Sequence, residues 1–402
     1  MKKLLALMMA VIMACALFAG CGNGKDQGNK GNETGKKVIK IGIFEPGTGE
    51  NAGGGKQEVL GIRYANSVKS TVKINGEDYT VELVEVDNGS DTSKAVTAAQ
   101  SLVSSKVSVV LGSYGSGVSI AAAPTFENAK IPAIGVSCTN PQVTDGNDYY
   151  FRVCFLDPFQ GTVMANFAKD ELKATKAGVI FQAGDDYSAG LSNYFKEAFK
   201  KAGGEVVDAS FQKGETDFSA IVSNMLKEKV DVIFAPSSIE TAPLVIKQAR
   251  TAGITCPIMG GDTWENETII KNAGDSATDV YLSTFFDEND TSNTVAKTFV
   301  DGFKKWLKED NQRLTNNGGS DGVAAVSALG YDAYMVAIQA IEKANSTEGE
   351  AICKALPSVN FDGVTGNITF NEKGDANKTM AYIKTVDTAN GVFKFIKTQS
   401  VK

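Results

Sequence analysis

The sequence predicts an α/β protein of two doubly wound, Rossmann-like lobes joined by a multi-strand hinge, on three observations. From residue 38 onward one unit recurs: a β-branched apolar run of about six residues, a Gly/Ser/Asp-rich turn, then an amphipathic stretch of about twelve or more. Such alternation specifies mainly parallel sheets with helices on both faces. The unit recurs about eight times, more than one doubly wound sheet usually holds. Two extended apolar stretches, YYFRVCFLDP at 149–158 and VYLSTFFD at 280–287, interrupt the series where the chain can pass between sheets.

Runs rich in Val, Ile and Phe place strands over residues 38–44, 79–86, 107–111, 131–136, 177–181, 205–211, 230–235 and 257–259. Apolar residues at helical spacing place helices over 56–69, 92–104, 116–128, 158–172, 190–202, 218–227 and 240–252. A hairpin breaks the parallel pattern at Asn75-Gly76, the dipeptide that suits a two-residue I′ turn. After residue 287 come helical segments at 294–308 and 323–343, then FDGVTGNITFNEKGD and two short strands ending at Val401. The resulting partition is a first lobe over 38–157 with approximately 286–375, and a second over 158–285 with approximately 376–402. Several parallel crossings between such discontinuous lobes make a hinge whose bending opens or closes a cleft.

The first 37 residues read as an address and a tether. Lys2 and Lys3 precede an uncharged apolar run over residues 4–20, the n-region and short h-region of a signal peptide spanning 1–20. The run ends Leu17-Phe18-Ala19-Gly20-Cys21, which resembles the lipobox of bacterial lipoproteins, although Phe18 stands where a branched aliphatic is usual. A plain signal peptide with an incidental cysteine is the alternative. Residues 21–37 hold Gly, Asn and Lys with almost no apolar side chain, and suit a lipid-anchored flexible linker. The expected location is extracytoplasmic, with the cell membrane reached through lipidated Cys21 alone.

Composition excludes whole chemistries. The chain has no histidine, so it can write no imidazole metal site and no Ser-His or Cys-His nucleophile pair. With 40 basic and 47 acidic residues it carries −7, which argues against nucleic acid as a partner. Cys138, Cys154, Cys256 and Cys353 are scattered without CxxC spacing, and no disulfide can be deduced. The stretch GENAGGGKQ fails as a phosphate loop, because Glu50 replaces its first Gly and Gln57 its Ser/Thr. GVSCT at 135–139 starts like a nucleophile elbow but lacks the closing Gly and a base. Asp185-Asp186 suits solvated turn residues. No enzyme, cofactor or metal is expected.

Ligands of open α/β sheets sit beyond the carboxyl ends of strands, so residues just after each apolar run are informative. GSYGSG at 112–117 follows a strand and opens a helix, where backbone N–H groups, the helix dipole and the Ser116 hydroxyl suit a carboxylate. An ordinary turn capped by Ser116 has the same sequence.

The ordered series IKIGIFEPGTG, DNGSDTSKAVTAAQSLV, VVLGSYGS, IPAIGVSCTNPQVT, GDDYSAGLSNYFKEAFKKAGGEV, DFSAIVSNMLKEKVDVIFA, IKQARTAG and PIMGGD closely resembles the leucine/isoleucine/valine-binding proteins. These are type I periplasmic binding proteins that feed ABC importers, and the resemblance spans essentially all of residues 38–402. It implies that the backbone carbonyl of Ser137, in the Ser137-Cys138-Thr139 turn, takes an amino acid's ammonium and that Thr139 donates to its carboxylate. It sets Asp262 opposite the ammonium, where relatives commonly carry Glu; a helix N-cap is the competing role for that residue. Tyr114 and Tyr187 match pocket walls, or are half-buried surface tyrosines. Tyr331 is a weaker wall candidate on a helix whose spacing also suits the core. Gly54 and Ser238 stand where relatives often carry aromatics, which should enlarge or soften the pocket.

The expected function is therefore that of a substrate-binding lipoprotein, monomeric, which closes on a branched-chain or other apolar amino acid. It would deliver that ligand to ABC permease subunits with a cytoplasmic ATPase. A sensor passing the same signal to a separate partner is the rival. Without histidine, binding is expected to vary little between about pH 6 and 8.

Overall fold

A computed structural model describes residues 36–290 and 293–401; Cys21 and the rest of the expected leader and anchor lie outside the described residues. The first sheet comprises β1 (Val38–Glu45), β2 (Thr71–Ile74), β3 (Glu77–Asp87), β4 (Val109–Leu111), β5 (Ala133–Gly135) and β6 (Tyr150–Arg152), ordered β2-β3-β1-β4-β5-β6. β2 pairs antiparallel with β3 across the Asn75-Gly76 turn, whose φ angles of 51° and 78° are those of a I′ turn. The other pairings in this sheet are parallel. Helices α1 (Ala52–Val68), α2 (Thr92–Ser104) and α3 (Ser116–Asn128) complete the crossovers. β1 shows why both faces are covered: Ile39, Ile41 and Ile43 join one apolar cluster with Leu60 of α1. Phe44 joins the other with Leu102 and Phe126.

The chain then builds α4 (Asp157–Asp170), β7 (Lys176–Gln182), α5 (Asp186–Lys201), β8 (Glu205–Phe211), α6 (Ser219–Lys227), β9 (Val232–Phe234), α7 (Ala242–Thr251), β10 (Ile258–Gly260), α8 (Glu267–Ala273) and β11 (Val280–Thr284). It next forms α9 (Thr294–Lys308), α10 (Asn311–Asn316), α11 (Ala325–Ala344), α12 (Gly349–Ala355) and a hairpin of β12 (Phe361–Gly363) and β13 (Gly366–Ile368). Last come β14 (Ala381–Asp387) and β15 (Val392–Gln399), which complete a second sheet ordered β15-β14-β11-β10-β9-β7-β8. The architecture is thus two α/β lobes, with three crossings, at 153–156, after 284 (residues 285–290 being described) and at 369–380.

Most differences from expectation fall at strand and helix ends. Residues 150–152 of the first apolar stretch pair with β5 as a sixth strand before the chain crosses. Likewise 280–284 pair with β10 before the second crossing. α1 starts at Ala52, four residues early, because its run of glycines is helical and not a loop. There is no room for side chains: a Cβ on Gly55 would stand 2.4 Å from the Pro46 carbonyl oxygen. The same economy presses α1 onto α11, where a Cβ on Gly61 would stand 1.9 Å from the Ser327 carbonyl oxygen.

Two buried ionic clusters pin the crossings. Arg152 pairs with Asp375 at 2.7 Å, joining the end of β6 to the third crossing. Lys384 of β14 pairs with Glu265 at 2.5 Å and with Asp287 at 3.2 Å. Burial works to lower the Lys384 pKa, but the two carboxylates overcome it and hold the amine charged. Replacing Lys384 by Met should leave two carboxylates buried without a cation and cost about 3–5 kcal/mol. Breaking the exposed Arg63–Glu85 pair with Arg63→Met should cost no more than about 1 kcal/mol. Urea unfolding of the two variants at pH 7 measures the contrast, and equal losses would refute it.

Candidate functional site

The carboxyl ends of strands from both sheets face one crevice. On the first-lobe side, Ser116 is the first residue of α3, behind the cap residue Gly115, and its hydroxyl accepts the Asn140 N–H at 3.2 Å. The turn after β5 carries Ser137, Cys138 and Thr139, all buried. Arg152 holds that turn by donating to the carbonyls of Cys138 (2.8 Å), Asn140 (2.7 Å) and Pro141 (3.2 Å). The Ser137 hydroxyl donates to Glu58 of α1. Glu45, at the end of β1, accepts the Tyr114 N–H at 2.7 Å.

On the second-lobe side, Asp262 follows β10 and is 2% exposed. Its Oδ1 accepts Gln160 Nε2 at 2.8 Å and the Tyr187 hydroxyl at 2.9 Å. The N-cap role is thereby excluded: Gly261 precedes the short turn that Asp262 opens, and no side chain caps it. Gln160 Nε2 also donates to Ser283 at 2.9 Å, which orients the amide. Ser238 Oγ donates to Thr241 Oγ1 at 3.0 Å.

The lobes are closed on one another. Asn140 Nδ2 donates to the Asp186 carbonyl at 2.7 Å, and the Ile239 N–H reaches Asn51 Oδ1 at 3.3 Å. Lys213 meets Glu50 at 3.3 Å, and the Tyr114 hydroxyl reaches the Thr263 carbonyl at 3.4 Å. Between them lies a cavity of about 110 Å³, lined by Tyr114, Ser116, Tyr187, Ser238 and Thr263 among others. Behind its lining, Glu45 Oε1, Glu58 Oε2 and Gln160 Oε1 are buried acceptors without a hydrogen-bond partner among the described residues, and the buried Asp157 carboxyl lies against the Thr139 hydroxyl.

Burial sets the protonation of this cluster. It pushes Asp262 up to about 6, against the bonds from Gln160 and Tyr187 that favour the ionised form. It pushes Glu58 up to about 8, and Glu45 and Asp157 well above the usual carboxylate range. The expectation of flat behaviour between pH 6 and 8 therefore needs correction. Histidine is absent, but desolvated carboxyls titrate at both ends of that interval.

Of the residues singled out in the sequence, Tyr114, Ser116, Tyr187 and Ser238 line the common cavity. Asp262 is one hydrogen bond behind Tyr187, and Ser137 and Thr139 sit on the turn tied to α3 through Asn140 and Ser116. Two fall elsewhere. The Cys138 side chain belongs to the apolar cluster under α2 and α3 and would abut a Cβ on Gly135 at 2.3 Å, so it faces the core. Tyr331 packs on Phe299 and Tyr64, at 4.9 and 5.9 Å between ring centres, in an aromatic cluster remote from the cavity lining. Gly54 does not enlarge the pocket: the Tyr114 ring fills its place, 2.2 Å from where a Cβ would stand. Cys138, Cys154, Cys256 and Cys353 are free thiols.

Sequence reasoning missed Glu45, Glu58, Asp157 and Gln160. Glu45 ends a strand, and Glu58 shares a buried face of α1 with Ile62 and Ala65. An acid on an apolar face was a usable signal. Gln160 lies in α4 with nothing local to mark it.

A two-lobed α/β clamp with acceptors and a helix N-terminus facing each other across the hinge is the build of a solute receptor. A family model described as "Periplasmic binding protein" matches residues 38–391, and the chain belongs to that family of extracytoplasmic substrate-binding proteins. It is 29% identical over 343 residues to a leucine-, isoleucine-, valine-, threonine- and alanine-binding protein of Pseudomonas aeruginosa, covering 84% of this chain and 87% of that one. A crystal structure of a leucine-binding protein LivK from Thermotoga maritima superposes with a TM-score of 0.83 at 35% identity, over 90% of this chain and 99% of that one. The branched-chain amino acid transporter substrate-binding protein LivJ of Streptococcus pneumoniae, crystallised with isoleucine, gives 0.80 at 30% identity over 91% and 100%.

Because folding raises the Asp262 pKa from 3.8 to about 6, the folded chain binds that proton more tightly than the unfolded one. Stability from this group is complete below about pH 4 and is lost as pH rises through 6, by on the order of 3 kcal/mol. Glu58 and Asp157 act with the same sign. Ligand-free protein should therefore be more stable at pH 5 than at pH 8, and Asp262→Asn should recover about 1–3 kcal/mol at pH 8. Urea midpoints across that range check it; stability rising steadily with pH would contradict the assignment.

Proposed function

We propose that the protein is an amino-acid receptor, lipid-tethered through Cys21 and monomeric, that closes on its ligand and delivers it to an ABC permease. One observation carries the reading: the closed crevice sets an N–H- and hydroxyl-rich helix start against a buried carboxylate. That is the polarity of a zwitterion. In this assignment the N-terminus of α3 with Ser116, aided by Thr139, holds the α-carboxylate. The Ser137 carbonyl and Asp262 take the ammonium, whose charge Asp262 otherwise lacks. Tyr114, Tyr187 and Ser238 border the side chain.

The relatives' names supply leucine, isoleucine, valine, threonine and alanine as the first ligands to try. The cavity is small beside the roughly 300 Å³ and more of drug-sized sites, and Ser238 and Thr263 add hydroxyls to it. Compact side chains, aliphatic or hydroxylated, fit this lining better than large aromatic ones.

Calorimetry against the twenty amino acids tests the reading directly, and no heat from any of them would remove it. Ser116→Ala should weaken binding by about 1.5–3 kcal/mol without unfolding the protein. Asp262→Ala should weaken it at least as much, and unchanged affinity would sink the ammonium assignment. Since the ammonium pairs with ionised Asp262, which titrates at about 6, affinity should also fall about fivefold from pH 6 to pH 5. The Asp262→Asn variant should lack that fall. Cys21→Ala should shift the protein from the membrane fraction to the soluble one, whereas continued membrane attachment would refute lipidation there.

A further inference from the structure

Behind the proposed ligand contacts, two carboxyl groups are buried within hydrogen-bond reach of one another, with no cation among the groups that act on them. Glu45 closes β1 and Glu58 lies on the inward face of α1, at 3% and 0% exposure. One oxygen of each is accounted for: Glu45 Oε2 accepts the Tyr114 N–H at 2.7 Å, and Glu58 Oε1 accepts the Ser137 hydroxyl. The other two, Glu45 Oε1 and Glu58 Oε2, have no donor among the described residues.

The groups facing the pair make its protonation plain. Cys138 approaches from the turn after β5, Asp262 from the second lobe, and the Tyr114 phenol from the loop after β4; none of them is cationic. Two adjacent carboxyls in such surroundings do not both ionise at neutral pH, because mutual repulsion adds to desolvation. A single proton held between the two carboxyl groups removes one charge, and each group has an unpartnered oxygen to offer it. Burial, followed by the charge of Glu58, drives Glu45 upward, and burial drives Glu58 to about 8.

We propose that Glu45 and Glu58 share one proton and act as a positioning pair for the ligand site. The pair ties the loop that carries Tyr114 and Ser116 to the turn that carries Ser137 and Thr139. It rests on the amino-acid reading in one respect, that these two loops hold the ligand's carboxylate and ammonium. The mechanical tie itself is independent of what the ligand is. α1, which carries Glu58, cannot retreat from the pair, because Gly61 and Gly330 hold it in backbone contact with α11. Strain from a doubly ionised pair is therefore passed to Tyr114 and Ser137.

The test has two arms on the full chain. In ligand-free protein, infrared difference spectra between about pH 7 and 9 should show a protonated carboxyl losing its proton, and Glu58→Gln and Glu45→Gln should each abolish that band. Asp157→Asn should leave it, which separates the pair from the nearby buried acid that also lacks a cation. Persistence of the band in both Gln variants would overturn the shared proton. In the second arm, affinity for the amino acid that gives the largest heat with wild type is measured over the same range. One pH unit above the pair's upper titration, wild type should bind about tenfold more weakly than at pH 7, and Glu58→Gln should lose about threefold or less. The ligand's own ammonium titrates identically against both proteins, so the ratio of the two profiles reads the pair alone. Glu58→Ala, which removes the tie, should bind more weakly than Glu58→Gln at every pH. Equal profiles for wild type and Glu58→Gln would overturn the positioning role. If no amino acid binds wild type, the functional proposal fails while the infrared arm still decides the shared proton.

Discussion

The structure depends on how buried carboxylates find partners. Among the described residues eight acids are buried, Glu45, Glu58, Asp157, Asp262, Glu265, Asp287, Asp332 and Asp375, against two comparably buried bases, Arg152 and Lys384. A carboxylate taken from water is costly unless it is paired, hydrogen-bonded or protonated. Arg152 takes Asp375, and Lys384 takes both Glu265 and Asp287. Asp332 is satisfied by the N–H groups of Val364 and Thr365 and by the Thr365 hydroxyl, at 2.7–2.9 Å. The four that remain without a cation lie behind the crevice lining, Asp262 behind Tyr187, Glu45 behind Tyr114, Glu58 against Ser137 and Asp157 against Thr139. The hinge thus uses the buried bases, and the site is left with an excess of negative charge and acceptors.

Hinge and site are nevertheless joined. Glu265 lies three residues beyond Asp262, and besides Lys384 it accepts the Thr284 hydroxyl at 2.5 Å and the Ala325 N–H of α11 at 3.2 Å. A second-lobe residue beside the proposed ammonium contact therefore touches the first residue of a first-lobe helix. That helix is packed backbone to backbone against α1, which carries Glu58. A charge placed at Asp262 is felt through short, buried bonds on both sides of the crevice. Such contiguous contacts give a physical basis for closure that responds to the ligand.

The fold was largely legible because period and punctuation agree. Strands read as β-branched runs, helices as amphipathic stretches, and Asn75-Gly76 gave the hairpin its turn. What failed did so for tertiary reasons. The start of α1 was hidden because glycines that usually mark a loop are used here for close packing under Tyr114 and Pro46. β6 was read as a connection because a three-residue strand at a sheet edge has no alternation to display. In the site, strand-end logic and resemblance to a family named Tyr114, Ser116, Tyr187, Ser238 and Asp262. Neither could give the direction of the Cys138 side chain, since adjacent residues in a turn point opposite ways. Nor could a lone sequence place Glu45 beside Glu58, thirteen positions apart on different elements, or show that Tyr114 takes the space left by Gly54.

The absence of histidine then acquires a physical meaning. A clamp whose polar contacts are hydroxyls, backbone amides and carboxyls draws its charge balance from two sources, shared protons and the ligand. Lys213 lines the crevice but is taken by Glu50, so closure leaves Asp262, Asp157 and the Glu45–Glu58 pair in a medium that disfavours negative charge, and closure is penalised. An ammonium carried in with the ligand reverses that sign at Asp262, while the shared proton keeps the deeper pair neutral and its loops in place. Were a lysine or arginine placed against Asp262 instead, the closed form would be satisfied without ligand and the clamp would lose its reason to open. An excess of buried acid, awkward for stability, is what makes closure in this reading conditional on the ligand's own charge.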